Sequence, residues 1–374
     1  FIFQRGKAAA FLACLSGETF LAHLFFPGYM LCPAAASFII LFLSRIWDLS
    51  RTPAKGNGAD PIRLPVRSGI RESRLEFHYH YSNFLVYGGA GSGKTKSIGK
   101  WLLSEYMRLG FAGFIYDFKD TDYTRTAYNL IKRHRYPHKF YYVSFDRPER
   151  SYRFNPLKVV RDRTELIQLM EDVLLALLPK KEQQNEWVAG GLGILRGVAF
   201  RFWDEFPEHC TLPHILAFIM TASARQLSLF LQQNLVSEML AGAYLKAEGS
   251  EKTQASYLST LCNNLATISQ NEEIAYVLSG DDFDFNLIDP ENPKLFAVSN
   301  NFSKNSVYAP VISMLMTISA RQFSMQNRVP FVYFLDEMTT VNIKNFETLP
   351  SVLREYKAAF ILLTQSGSKV ENQY

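Results

Sequence analysis

Cysteine is scarce. The four that occur, Cys14, Cys32, Cys210 and Cys262, include no C-x-x-C pair. That spacing excludes a cysteine-built zinc site and a disulfide framework, and it points to free thiols in a reducing compartment. A strong charge of either sign is also missing: a formal net charge of +5 over 374 residues permits an anionic partner without demanding one. No internal repeat or low-complexity tract is present, which excludes a solenoid. Two further absences are local. Residues 8–44 contain one formally charged side chain, Glu18, and strand signals vanish between about 160 and 280.

The first of these local gaps is too apolar for a solvated face. About 20 helical residues cross a bilayer core of about 30 Å, so the run is too long for one span and fits two joined by a turn near Pro27-Gly28. Arg5 and Lys7 precede it, and Arg45, Arg51 and Lys55 follow it. Positive flanks on both sides place both ends in the cytoplasm. The expectation is a transmembrane helix pair over 1–50, in a multi-pass membrane protein. The Pro-, Gly- and charge-rich stretch over 51–83 reads as a juxtamembrane linker and the approach to a domain.

What is present begins at "YGGAGSGKTKS", residues 87–97, which fits G-x-x-x-x-G-K-[ST] from Gly88 to Thr95. Glycines let successive backbone N–H groups turn inward toward phosphate oxygens, and the following helix adds the positive end of its dipole. The phosphate-binding set is therefore Gly88, Gly89, Ala90, Gly91, Ser92, Gly93, Lys94, Thr95 and Lys96. Lys94 is placed to reach the β and γ phosphates, and Thr95 to ligate Mg2+. Context agrees: "FLVYG" is a short buried-strand run, and "KSIGKWLLSEYMRLG" puts Ile98, Leu102 and Tyr106 on one helical face.

Downstream, "FAGFIYDFK" and "KFYYVSFD" are apolar, aromatic runs separated by a helix-like segment, an alternation that argues for a parallel sheet covered by helices. Strands resume at "KLFAVSN", "VPFVYFLDE" and "AAFILLTQS". The expected domain is α/β, with a nucleotide-binding unit over 84–204 and 281–374 and an all-helical insertion over 205–280.

In "FVYFLDEM" an apolar strand runs into Asp336 and Glu337, the Walker B pattern. There Asp336 can hold Mg2+ beside the P-loop, and Glu337 can polarise an attacking water. Gln365, at the end of the next strand, is placed like a sensor of the γ-phosphate. Two weaker signals have ordinary explanations beside their functional ones. Lys132, Arg133, Arg135 and Lys139, with His134 and His138, form a basic cluster near Tyr136, Tyr141 and Tyr142 that suits nucleic acid or a solvated helix end. "HYH" at 78–80 has no third metal ligand.

Taken with "YRFNPL" at 152–157 and "LREYKAAFILLTQS", these motifs make nearly the whole chain resemble the TraG/TraD-type coupling proteins of type IV secretion and conjugation. The resemblance implies a RecA-like P-loop ATPase using ATP and Mg2+. It also implies a homo-hexameric ring at the bacterial inner membrane, with the ATPase domain in the cytoplasm. Such rings recruit a relaxase-bound single DNA strand, or protein effectors, and pass them to the other components of a secretion channel. Arg354 matches the position where the family carries an arginine finger, so the catalytic set is Lys94, Glu337, Arg354 and Gln365, with Thr95 and Asp336 on the metal. Two alternatives stay open: a docking receptor for protein effectors, and a chromosome-segregation DNA translocase.

Overall fold

The computed structural model describes residues 60–373 except 69, 70, 90, 120, 179 and 344. The expected transmembrane pair over 1–50 and Ala90 of the loop lie outside the described residues. Among the described residues no helix is long and apolar enough to cross a membrane.

The described chain opens on an antiparallel pair, β1 (Ile62–Ser68) and β2 (Arg71–Phe77), in register from Ile62 opposite Phe77 to Ser68 opposite Arg71. This hairpin falls in the stretch whose composition suggests a linker. Its strands alternate apolar residues at Ile62, Leu64 and Val66 and at Leu75 and Phe77, but Pro65 and six charged residues give the stretch the composition of a linker, and a proline within such a run argues against a strand. Ile62 docks it by burying itself in the core that Leu102, Leu103 and Tyr106 also line, with Leu64 and Phe77 packed alongside, and polar contacts add to this. The backbone N–H of Arg63 donates to Glu105 Oε2 at 2.9 Å, and Trp101 Nε1 donates to the Arg63 carbonyl at 2.6 Å.

The nucleotide-type unit then builds as β3 (Phe84–Tyr87), α1 (Lys100–Arg108), β4 (Ala112–Asp117), α2 (Asp122–His134) and β5 (Lys139–Ser144). Eight helices follow without a strand: α3 (Arg163–Ala176), α4 (Glu186–Glu205), α5 (Leu212–Thr221), α6 (Ala224–Gln232), α7 (Leu235–Leu240), α8 (Gly242–Lys246), α9 (Glu251–Ser269) and α10 (Glu272–Leu278). The sheet resumes with β6 (Lys294–Ser299), α11 (Asn305–Arg321), β7 (Phe331–Leu335), α12 (Leu349–Glu355), β8 (Ala358–Thr364) and α13 (Gly367–Gln373). The helical run thus starts at Arg163, and residue 205 is the last of α4, a helix that packs on α5, α7 and α9.

Strands β3 to β8 form one sheet in the order β3-β8-β7-β4-β6-β5, and every neighbouring pair is parallel. Every residue of β4, β6, β7 and β8 is buried. A parallel strand covered on both faces needs apolar side chains at consecutive positions, which is why these four read as unbroken apolar runs. Alternate residues go to opposite faces. Ile115, Leu295, Phe334 and Ile361 lie in the core shared with α1 and α2. Phe114, Phe296, Tyr333 and Phe360 lie in the larger core shared with α3, α11 and the helical run. The C-terminal ends of all six strands therefore meet at one edge, where open α/β sheets of this type place ligands.

Candidate nucleotide site

At that edge β3 ends in the glycine loop. Gly91 and Gly93 take positive φ angles of 75° and 80°, which side chains other than glycine rarely adopt. Gly88 leaves room of a different kind: a Cβ there would lie 2.5 Å from Ser92 Oγ and would displace the Ser92 and Lys94 side chains. The loop closes into a wide π-helical turn, Thr95–Gly99, before α1 continues. Such turns recur at functional sites. Lys94 is half-buried, and its ammonium donates to the carbonyls of Gly88 and Gly89, so the cation lies across the loop. The Gly88 N–H donates to the Thr364 carbonyl at 3.3 Å, fixing the loop to β8. Gly89, Gly91, Ser92 and Lys96 are exposed.

Asp336 and Glu337 follow β7. Strand β8 lies between β3 and β7, so the strands that lead into the glycine loop and into the two acids are not neighbours, and Gln365 follows the strand between them. Glu337 takes a left-handed φ of 49°. For a non-glycine residue this conformation is uncommon and persists where the surroundings enforce it. It brings Glu337 Oε1 to 3.2 Å from the backbone N–H of Gln365. Asp336 is 3 % exposed, its Oδ2 is buried without a hydrogen-bond partner, and its N–H donates to the Tyr116 carbonyl at 3.0 Å. Burial pushes its carboxyl up to about 7, against the opposing charge of Lys119.

A third acid belongs here that the spacing of the known motifs does not mark. Asp117 ends β4 with 0 % exposure. Its Oδ2 accepts from the Thr124 N–H at 2.8 Å and the Thr124 hydroxyl at 2.9 Å, in the first turn of α2. Its Oδ1 is buried without a partner. Burial raises its carboxyl to about 6, opposed by the Thr124 bonds. The signal was the "YDFK" strand end, an apolar run closing on an acid as "YFLDE" does.

The remaining expected residues separate. Arg354 is exposed near the C-terminus of α12, and its side chain makes no hydrogen bond or ion pair among the described residues. Of the basic cluster, Lys132, Arg133, Arg135 and Lys139 are exposed, whereas both histidines serve the fold. His134 Nε2 meets Ser104 Oγ at 2.9 Å, and His138 Nε2 meets the Gly110 carbonyl at 2.8 Å. In the 78–80 stretch, His80 Nε2 meets the Asp60 carbonyl at 2.8 Å, and no cluster of three metal-binding side chains occurs among the described residues.

Comparison with known proteins bears on the fold. Solved structures with the same fold include the bacterial conjugative coupling protein TrwBdeltaN70 in complex with sulphate, at 16% identity and a TM-score of 0.62, with 88% of this chain and 72% of that one covered. The plasmid coupling protein TrwB in complex with ADP and Mg2+ matches at 16% identity and a TM-score of 0.63, over 88% of this chain and 72% of that one. TrwB with the non-hydrolysable ATP analogue ADPNP matches at 16% and 0.62, over the same shares of 88% and 72%. A search of curated protein sequences finds no match. The family model for the type IV secretion-system coupling protein DNA-binding domain matches residues 75–374, from β2 through the whole parallel sheet and helical run, and the chain belongs to that family.

Proposed function

We propose that the chain is an ATPase that couples hydrolysis to the recruitment and transfer of conjugative DNA through a type IV secretion system. The observation that carries this reading is the orphaned, buried Oδ2 of Asp336 at the same sheet edge as a lysine-closed glycine loop. A carboxylate oxygen held dry with no donor costs free energy unless a cation or its water ligands satisfy it. The residues present fit Mg2+, which accepts one or two carboxylates and retains water. ATP and Mg2+ are accordingly the cofactors, as the ADP–Mg2+ complex of TrwB also suggests.

Thr95 and Asp336 would hold the metal, which when bound screens phosphate charge and orients the γ-phosphoryl group. The backbone N–H groups from Gly89 to Thr95 cradle the phosphates, and Lys94 leaves its carbonyl partners for the β and γ oxygens. Glu337, held by the Gln365 N–H, accepts a hydrogen bond from the attacking water and orients it. Gln365 lies between the loop and Glu337, where its side chain can report the γ-phosphate to both. Exposed Arg354 acts on a neighbouring subunit's nucleotide in a homo-hexameric ring. The apolar run before residue 45 anchors that ring in the inner membrane, beside the other secretion components and the relaxase-bound single strand.

The test is the ATPase rate of the full chain with and without single-stranded DNA, across a salt series. Stimulation that falls as salt rises supports DNA coupling, because phosphate contacts release counterions. Hydrolysis indifferent to DNA favours a receptor for protein effectors, and absence of ATP turnover overturns the motor reading.

A further inference from the structure

Beneath the turn that follows the glycine loop, four side chains from separate elements meet: Thr95, Asp117, Tyr123 and Asp336. Strands β4 and β7 are neighbours, with Tyr116 opposite Leu335, so Asp117 and Asp336 leave their strands side by side. By alternation each follows the face of Ile115 and Phe334, the face covered by α1 and α2. Tyr123, in the first turn of α2, packs its ring 4.6 Å from that of Phe334. Its hydroxyl lies against Thr95 yet makes no hydrogen bond of ordinary geometry. Gly99 gives it room, since a Cβ there would sit 2.3 Å from the Tyr123 hydroxyl.

Asp117 and Tyr123 are 0 % exposed and Asp336 is 3 % exposed, so none of the three is served by bulk water. Each keeps one polar atom unsatisfied: Asp117 Oδ1, Asp336 Oδ2 and the Tyr123 hydroxyl. A carboxylate with a purely structural task would turn both oxygens to donors. Asp117 instead has one oxygen fixed by two Thr124 bonds, which aims the other. Two unsatisfied carboxylate oxygens beside the unsatisfied Tyr123 hydroxyl, which itself lies against Thr95, describe an acceptor-rich lining for a small, hydrated cation.

Building on the nucleotide reading above, we infer that Asp117 and Tyr123 are positioning residues of the divalent-cation site. Asp117 is its second carboxylate, and with Asp336 it accepts hydrogen bonds from the cation's water ligands. Tyr123 donates to Thr95 or to such a water and fixes its orientation. Thr124 makes the first turn of α2 part of the same assembly, so metal loading also bears on where that helix sits.

The experiment is an electron paramagnetic resonance titration of Mn2+ into the full chain with ADP present. It compares the natural protein with Asp117→Asn and Tyr123→Phe, alongside ADP affinity and melting temperature in EDTA. The expected result is a Mn2+ affinity about 10- to 100-fold weaker in Asp117→Asn. Metal-free ADP affinity should stay unchanged, and the EDTA melting temperature should not fall, because asparagine still accepts from Thr124 and carries no buried charge. Tyr123→Phe, which removes only the hydroxyl, should also weaken Mn2+. Wild-type Mn2+ affinity in a folded Asp117→Asn overturns the inference; if that variant does not fold, wild-type affinity in Tyr123→Phe overturns it. Failure of the natural protein to take up ADP and Mn2+ instead overturns the nucleotide reading itself.

Discussion

The carboxylate of Glu337 accepts the backbone N–H of Gln365 at 3.2 Å, linking the end of β7 to the end of β8. The bond spans the strands that frame the proposed γ-phosphate position, and the left-handed φ of 49° at Glu337 makes it possible. Glu337→Gln keeps an oxygen to accept from Gln365 but removes the charge that orients water. Turnover should fall by about 10² to 10⁴, the usual worth of general acid–base participation, while ATP still binds through Lys94, Thr95 and Asp336. Single-turnover hydrolysis beside a fluorescent-nucleotide binding curve checks this. Loss of binding would mean that the roles of the two acids are reversed.

Gly99 is a packing requirement of the turn after the loop, since its missing Cβ would meet the Tyr123 hydroxyl at 2.3 Å. Gly99→Ala overpacks a fully buried ring and should cost about 1–3 kcal/mol, read as a lowered melting temperature. Adding Tyr123→Phe removes the clashing oxygen and should restore part of the loss. Additive effects in the double variant would show that the two residues do not touch.

The sheet was legible because burial on both faces leaves little choice of residue: "GFIYD", "LFAVS", "FVYFL" and "AAFILLT" are each apolar enough to name their strands. The glycine loop and the Asp336–Glu337 pair were legible for a related reason, as backbone turns and charge at a strand end restrict residue type. Strand order was not, and it sets β8 between the strand that enters the loop and the strand that ends at Asp336. The β1–β2 hairpin escaped because Pro65 and six charged residues outweigh the short alternation of Ile62, Leu64 and Val66, although Ile62 is fully buried. Asp117 carries no spacing signature, because its tie to Asp336 comes from the β4–β7 register across more than two hundred residues.

Stability without metal should fall as pH rises. Burial raises Asp117 to about 6 and Asp336 to about 7, both above the ordinary carboxylate value of about 3.9. For an acid raised in the folded state, the unfolded chain ionises first, so the folded state is favoured below about pH 4. That advantage is lost progressively as pH climbs through the folded values, and charging the site then works against folding. Denaturant midpoints in EDTA should decline between about pH 4 and pH 7. Asp336→Asn should flatten the decline, and Mg2+ with ADP should offset it. A midpoint that rises through this window would show that the carboxylates are stabilised as anions in the metal-free fold.

Hydrolysis should require a neighbouring subunit, with Arg354 supplying a cation in trans. Lys94 and Mg2+ meet some of the γ-phosphoryl charge, yet transfer spreads that charge over oxygens they do not cover, and an added arginine contributes roughly 10³ to 10⁵ in rate. Arg354 is exposed near the end of α12 and spends its guanidinium on no ion pair among the described residues, the state of a side chain free to meet a second copy. Arg354→Ala and Lys94→Ala should each be inactive as pure rings. Mixed rings should recover part of the turnover, because some interfaces then join an intact Arg354 to an intact Lys94. Full activity of an assembled Arg354→Ala ring would remove the assignment. Co-assembled mixtures that stay silent would mean that the arginine acts within its own subunit, or that the ring fires only when every subunit is whole. Titrating a small fraction of Lys94→Ala into natural rings separates those two cases: a proportional loss marks independent sites, and a steep loss marks concerted firing.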